Sequence, residues 1–273
     1  MKYTKLILLL FYFVALASCS SSKEESTESA PYDSTEVVAD TSSTDTIKIH
    51  GKIEFKEQAG LSVTADSYEV LPGEKYILLC HQAGYSRGEY IETAKKLNQL
   101  GYNCLAIDQR SGETCNEIIN ETAKRAKEQK LKCDYLDAEQ DIVAAVNYIS
   151  NHCGKKVIVV GSSYSAGLVL KIAKKLVDKI EAVAVFSPGE YFDGINLQKE
   201  ISGLSIPVFA TSSKEESKDL ITLLTGVANE NKTIFVPTSN GDHGSRVLWP
   251  TDPNKGEYWS AFEGFLSKIN SAK

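Results

Sequence analysis

Lys156-Val157-Ile158-Val159-Val160-Gly161-Ser162-Ser163-Tyr164-Ser165-Ala166-Gly167, running on into Leu168-Val169-Leu170-Lys171-Ile172-Ala173, is the stretch around which the rest of the chain can be placed. Val157 to Val160 are four β-branched apolar residues in a row, the pattern of a strand buried on both faces. Gly161 breaks the run. Apolar residues at Leu168, Leu170, Ile172, Ala173 and Leu176 then begin a helical pattern that opens on small residues. A strand, a tight turn holding a serine, and a helix form a nucleophile elbow, which lifts a hydroxyl off the sheet and aims a helix N-terminus at it. Small residues are needed because the backbone doubles back so sharply that larger side chains would collide.

Two frames fit this turn. The usual spacing is Gly-x-Ser-x-Gly, and Gly161-Ser162-Ser163-Tyr164-Ser165 carries a serine where the last glycine belongs. The frame Ser163-Tyr164-Ser165-Ala166-Gly167 would present Ser165 instead. Ser163 is the expected nucleophile, because the glycine directly after the strand should lie two residues before the reactive serine.

The chain has 273 residues, enough for one large core, and its 9% aromatic and 24% charged residues are ordinary for a globular protein. The net charge of -6 is mostly local. Lys2 and Lys5 are basic, and Ser20 to Thr46 carries seven acids against Lys23, which leaves about -2 from Ile47 onward. Such a body has no basic field for nucleic acid, and none is expected as a partner.

Residues 1–19 look like a targeting segment. Lys2 and Lys5 precede the apolar run Leu6 to Ala17, too short to span a bilayer but suited to a signal h-region. The run ends in Leu16-Ala17-Ser18-Cys19, which resembles the lipobox of bacterial lipoproteins and implies lipidation at Cys19 and a membrane anchor. Residues 20–46, rich in Ser, Thr, Glu and Asp, cannot bury enough surface to fold and are expected to be a tether. Its start, Ser20-Ser21-Ser22-Lys23-Glu24-Glu25, resembles the acidic export signal of some surface lipoproteins. A location in the bacterial cell envelope follows, with the membrane face left open.

Beyond Cys19 lie Cys80, Cys104, Cys115, Cys133 and Cys153, an odd number for an exported chain. Cys115 and Cys133 share one polar excursion and could bridge, whereas Cys80 and Cys104 belong to apolar runs and should be buried. No Cys-x-x-Cys or His-Glu-x-x-His pattern occurs, so no metal site is expected.

The body, 47–273, alternates strands and helices. Ile47 to Phe55 and Leu61 to Val70 read as strands, followed by a Pro72-Gly73 turn. Tyr76 to Cys80, Asn103 to Ile107, Ile180 to Phe186, Ile206 to Ala210 and Thr233 to Val236 are further strands. Helices are expected over Glu89 to Leu100, Tyr135 to Ile149, Glu216 to Ala228 and Tyr258 to Ile269. The polar excursion from Gly112 to Leu131, within 112–134, should cross the sheet end, partly helical, either as a simple excursion or as a small lid. The expected fold class is α/β: a mostly parallel sheet with helices on both faces, extended by two N-terminal antiparallel edge strands. Reactive loops in such sheets lie beyond the carboxyl ends of the strands.

His81-Gln82-Ala83-Gly84, Asp108-Gln109-Arg110-Ser111-Gly112, Gly161-Ser162-Ser163-Tyr164-Ser165 and Gly241-Asp242-His243-Gly244 stand in this order, each at a strand end. In that arrangement Ile47 to Ile269 resembles the α/β-hydrolase superfamily, closest to its dienelactone-hydrolase-like and small-esterase branches. The resemblance implies a catalytic order of serine, acid, histidine. His243 stands where the family has its base, and the acid is expected at Glu216 or Glu215, with Glu190 a third candidate. The family usually has an aspartate there, and glutamate can serve the same role of holding the imidazole tautomer. By position, the oxyanion donors would be the N–H groups of Tyr164 and Ala83. Gln82 occupies a position the family commonly gives to glycine. His81 is expected to be structural, and Asp108 and Arg110 to tie their loop together, unless Arg110 holds an anionic substrate.

The implied protein is an envelope serine hydrolase, a carboxylesterase working through an acyl-enzyme on a small-molecule ester or acyl substrate, monomeric and without a cofactor. The alternatives are an amidase or peptidase on the same residues, or a binding lipoprotein of the same fold without the chemistry. The pocket would be shaped by the excursion and by loops near Tyr85, Tyr191-Phe192 and Trp249.

Overall fold

The central strands are apolar over most of their length because helices cover both of their faces. A computed structural model describes residues 49–70 and 74–271, with side chains from residue 51. The signal segment, Cys19, the tether and the Pro72-Gly73 turn lie outside the described residues.

Ile49–Lys56 (β1) and Ser62–Tyr68 (β2) pair antiparallel, followed by Tyr76–Cys80 (β3), helix Ile91–Gln99 (α1) and Asn103–Ile107 (β4). A hairpin of Thr114–Cys115 (β5) and Ile118–Ile119 (β6) leads into helix Glu121–Glu128 (α2) and then Glu139–Cys153 (α3). Val157–Ser162 (β7), Tyr164–Lys175 (α4), Ile180–Phe186 (β8), Leu197–Glu200 (α5), Val208–Thr211 (β9), Ser217–Leu223 (α6), Lys232–Phe235 (β10) and Lys255–Ser271 (α7) complete the chain. The main sheet runs β1-β2-β4-β3-β7-β8-β9-β10. Its pairs are parallel from β4 to β10, while β2 joins β4 antiparallel. The expected fold is therefore present, with the two antiparallel strands at one edge.

Alternation along each strand divides the core. Leu78, Cys80, Val157 and Val159 face a cluster with Ile142, Val146, Leu168 and Ile172 from α3 and α4. Ile77, Leu79, Ile158 and Val160 face the other side, against Leu97 of α1 and Trp259, Phe262 and Phe265 of α7. Among the described residues no helix is long and apolar enough to cross a membrane.

Several expectations change, helix bounds among them: the helix expected from Tyr135 starts at Glu139, and the one expected over Glu216 to Ala228 spans Ser217–Leu223. The helix expected from Glu89 starts at Ile91, after a 3-10 turn over Arg87–Tyr90. The excursion is not a lid: α2 is pinned to the antiparallel edge, where the Thr122 hydroxyl accepts from Thr64 N–H at 2.9 Å and Arg125 reaches the Ser62 carbonyl. Asn120 caps α2 through Ala123 N–H and fastens the hairpin to the Gln109 carbonyl at 2.9 Å. Cys115 and Cys133 form no bridge, and all five described cysteines are free thiols; Cys80 and Cys104 are fully buried.

Candidate active site

The elbow forms because the penultimate residue of β7, Gly161, is the one residue type its turn admits. A Cβ on Gly161 would lie 2.7 Å from Ala166 Cα and 2.8 Å from the Ser165 carbonyl oxygen, so any side chain there would push β7 and α4 apart. Ser163 adopts φ 57°, ψ -123°, a conformation costly for a non-glycine residue and held by its N–H donating to Phe186 O at 2.8 Å. The Ser163 hydroxyl lies 2.8 Å from His243 Nε2. These residues are eighty apart in sequence and come from the ends of β7 and the loop after β10.

On its other side the His243 ring bonds through Nδ1 to Glu216 Oε1. With Nδ1 facing a carboxylate, the neutral ring carries its proton there and offers a free Nε2 lone pair to Ser163. Glu216 Oε2 in turn accepts from the hydroxyls of Ser187 at 2.8 Å and Ser213 at 2.9 Å. Burial opposes ionisation of Glu216, yet the bonds from His243 and Ser187 and the His243 charge hold its carboxyl down at about 2. The Glu216 hydrogen bond, outweighing partial burial, raises His243 above the ordinary histidine value.

The other candidate acids are elsewhere. Glu190 accepts from the N–H groups of Leu197 and Gln198, opening α5. Glu215 lies on the outer rim, alongside Asp219 and Asp242. Ser165 is fully buried, its hydroxyl among the carbonyls of Cys80, His81 and Ser162 at 2.6–2.9 Å, so the second frame presents no free hydroxyl.

The remaining motif residues serve the scaffold. His81 is fully buried; its Nε2 accepts from Gln109 N–H at 3.0 Å and its Nδ1 donates to Gln82 O at 2.8 Å, while burial lowers it to about 4. Arg110 is not free for an anionic substrate, because Asp141 on α3 takes its guanidinium and its backbone N–H, and both residues are buried. Asp108 pairs with Arg87 at 2.7 Å rather than with Arg110.

Both expected oxyanion positions follow strands that are neighbours in the sheet. Cys80 pairs with Gly161 across β3 and β7, so Ala83 and Tyr164 each lie three residues beyond that pair. No hydrogen bond from either N–H to another described residue is present, consistent with Tyr164 being the first residue of α4. The Gln82 side chain is packed against the His243 loop, where a Cβ on Gly244 would strike it.

With this geometry in hand, a family model described as the dienelactone hydrolase family matches residues 66–222, more than half of the chain. The chain belongs to the dienelactone hydrolase family. No curated protein matches it in sequence. Among solved structures, an esterase of Pyrococcus furiosus is similar with a TM-score of 0.62 and 18% identity over 85% of this chain and 96% of that one. The esterase domain of a Rhodothermus marinus protein gives 0.53 and 14% over 82% and 98%. An acylaminoacyl peptidase of Pyrococcus horikoshii gives 0.59 and 12% over 80% of this chain but 41% of its own. At these identities the likeness is one of fold: the α/β-hydrolase fold.

In this family member two hollows adjoin the Glu216 carboxylate. One hollow of about 540 Å³ is lined by Pro188, Glu190, Tyr191 and Leu223 and reaches Glu216. The Tyr191 hydroxyl donates to Ser187 O at 3.0 Å and also meets Ser163. Tyr85 and Trp249 stack on each other with centroids 6.2 Å apart. The sequence reading missed Ser187 and Glu89, both buried between the site loops. Ser187 directly follows an apolar strand that ends at the elbow's neighbour, and that position is the one signal that could have marked it.

Proposed function

We propose that this protein is a serine hydrolase that cleaves carboxylic esters through an acyl-enzyme, with Ser163 as nucleophile, His243 as base and Glu216 as the acid that orients it. The observation that carries the reading is the unbroken chain of contacts from Ser163 Oγ through His243 to Glu216. In the first step Ser163 Oγ attacks the ester carbonyl carbon while its proton passes to His243 Nε2. The N–H groups of Tyr164 and Ala83 are placed in this account at the developing oxyanion. Collapse of the tetrahedral intermediate breaks the carbon–oxygen bond, and His243 returns the proton to the leaving alcohol. Water, activated by the same imidazole, then releases the carboxylic acid and restores Ser163. Ester-cleaving neighbours of the same fold support the choice of bond. The similarity to a peptidase keeps amide cleavage as the second reading, since an elbow does not separate the two bonds.

A lipid anchor at Cys19 and a tether over 20–46 belong to the same reading, holding the hydrolase domain at an envelope membrane. Its test is metabolic labelling with a palmitate analogue, which should mark the wild type and not Cys19→Ser. The chemistry is tested by steady-state hydrolysis of p-nitrophenyl acetate and butyrate against matched peptide anilides. Turnover of the esters with little of the anilides is expected; turnover of neither contradicts the proposal.

A further inference from the structure

Glu89 is a carboxylate with an exposure of 1%, and among the described residues no lysine or arginine forms an ion pair with it. Arg87, two residues away, is taken by Asp66, Asp108 and Glu121. Hydrogen-bond donors stand in for a cation. Oε2 accepts from Gln82 N–H at 2.7 Å, Oε1 accepts from the Ser245 hydroxyl at 2.5 Å, and the Ser162 hydroxyl bonds to the same group. Ser245 N–H also donates to Ser162 Oγ at 2.8 Å. These donors belong to three different segments: the loop after β3 that carries Ala83, the elbow that carries Ser163 and Tyr164, and the loop that carries His243. An ionised carboxylate can accept from all three at once because it has only lone pairs to offer, whereas a protonated acid or an amide cannot. A buried carboxylate lacking a cation is expensive for stability alone, so its retention asks for another role.

We propose that Glu89 is a positioning residue for the hydrolysis proposed above, the single acceptor that keeps the oxyanion loop, the elbow and the base loop in mutual register. Burial pushes its carboxyl up to about 7, against the bonds from Ser245, Gln82 and Ser162 and the nearby His243. The other titratable groups facing it are Cys80 of β3, Tyr90 on its own turn, Cys115 of the hairpin and Tyr164 of α4, all raised by burial and therefore neutral at that pH. Glu89 thus loses its acceptor role as pH falls through about 7, in the same direction as the loss of the His243 base. The acid side of the rate profile should be steeper than one proton allows.

The test is kcat and KM for p-nitrophenyl acetate between pH 5 and 9, normalised to fluorophosphonate-titrated sites, in wild type, Glu89→Gln and Ser245→Ala. Glu89→Gln should lower kcat about 10- to 100-fold with KM within about threefold, and reduce the acid limb to one proton. Ser245→Ala removes one donor and raises the Glu89 value, so its acid limb should move to higher pH even if Glu89→Gln does not fold. Wild-type kcat with an unchanged acid limb in Glu89→Gln, or an unmoved limb in Ser245→Ala, overturns the proposal while leaving the hydrolase reading intact. An inactive, unlabelled wild type overturns that reading and this one with it.

Discussion

His81 and His243 each follow a strand on the same side of the sheet, one after β3 and one after β10, and their surroundings turn them into opposite kinds of group. His81 is sealed in, one ring nitrogen bonded to the carbonyl of the next residue and the other to the Gln109 loop, and burial holds it neutral down to about 4. His243 has a side chain 40% exposed, one nitrogen on Glu216 and the other on a hydroxyl with no competing carbonyl. The same division runs through the charges. Around β3 and β4, Arg87 meets Asp108 and Arg110 meets Asp141, all buried and pointing inward. Around β9 and β10, Glu216, Glu215, Asp219 and Asp242 face an open rim. What the ring nitrogens meet, rather than residue type, separates the two histidines: backbone groups in a sealed interior for His81, a carboxylate and a serine hydroxyl at a half-exposed rim for His243.

The largest effect that could break this contrast is at His243. His243→Ala should lower kcat about 10⁴- to 10⁶-fold in ester hydrolysis. His81→Ala should act mainly on folding, costing about 1–3 kcal/mol by urea unfolding, because the Gln109 N–H it serves is left without an acceptor. Equal losses of activity in folded variants would erase the distinction.

Glu216→Gln should lower kcat by about 10⁴, since an amide can stabilise the wrong imidazole tautomer. Glu215→Gln, one residue away and facing solvent, should leave it within a factor of about two, and reversed effects would move the acid by one residue.

On the scaffold side, Arg110→Leu strands the buried Asp141 and should cost about 3–5 kcal/mol in urea unfolding, with the activity of the folded fraction retained. A loss of turnover without a loss of stability would restore Arg110 to the substrate.

The smallest expected effect is a displacement along the pH axis. The Glu216 bond raises His243, so the base form is present above its raised value and lost as pH falls through it. Activity should therefore decline below a midpoint higher than that of an ordinary histidine, and Glu216→Gln should move the His243 contribution to lower pH, read from kcat/KM profiles.

Much of this architecture could be read from local pattern. β-branched runs marked the doubly covered strands, and Gly161 marked the elbow for a steric reason that the close approach of Ala166 bears out. Gly241 and Gly244 bracket His243 because side chains there would strike Tyr258 and Gln82. Other assignments depended on distances that local pattern does not carry. Asp108 chooses Arg87 over the nearby Arg110 because Asp141, thirty-one residues further on, claims Arg110 through the packing of α3. The polar excursion looked like a lid because its short apolar content gave no sign that Thr122 and Arg125 would engage β2. Glu89 resembled an ordinary acid in the first turn of a helix, and only the folding of three loops around it reveals its burial.

The most direct measurement is fluorophosphonate labelling with intact-mass and peptide mapping on wild type, Ser163→Ala and Ser165→Ala. A single adduct on Ser163 in wild type, none in Ser163→Ala and a retained adduct in Ser165→Ala are predicted. A wild type that takes no label, or an adduct that survives Ser163→Ala, would contradict the assignment of Ser163 as the nucleophile.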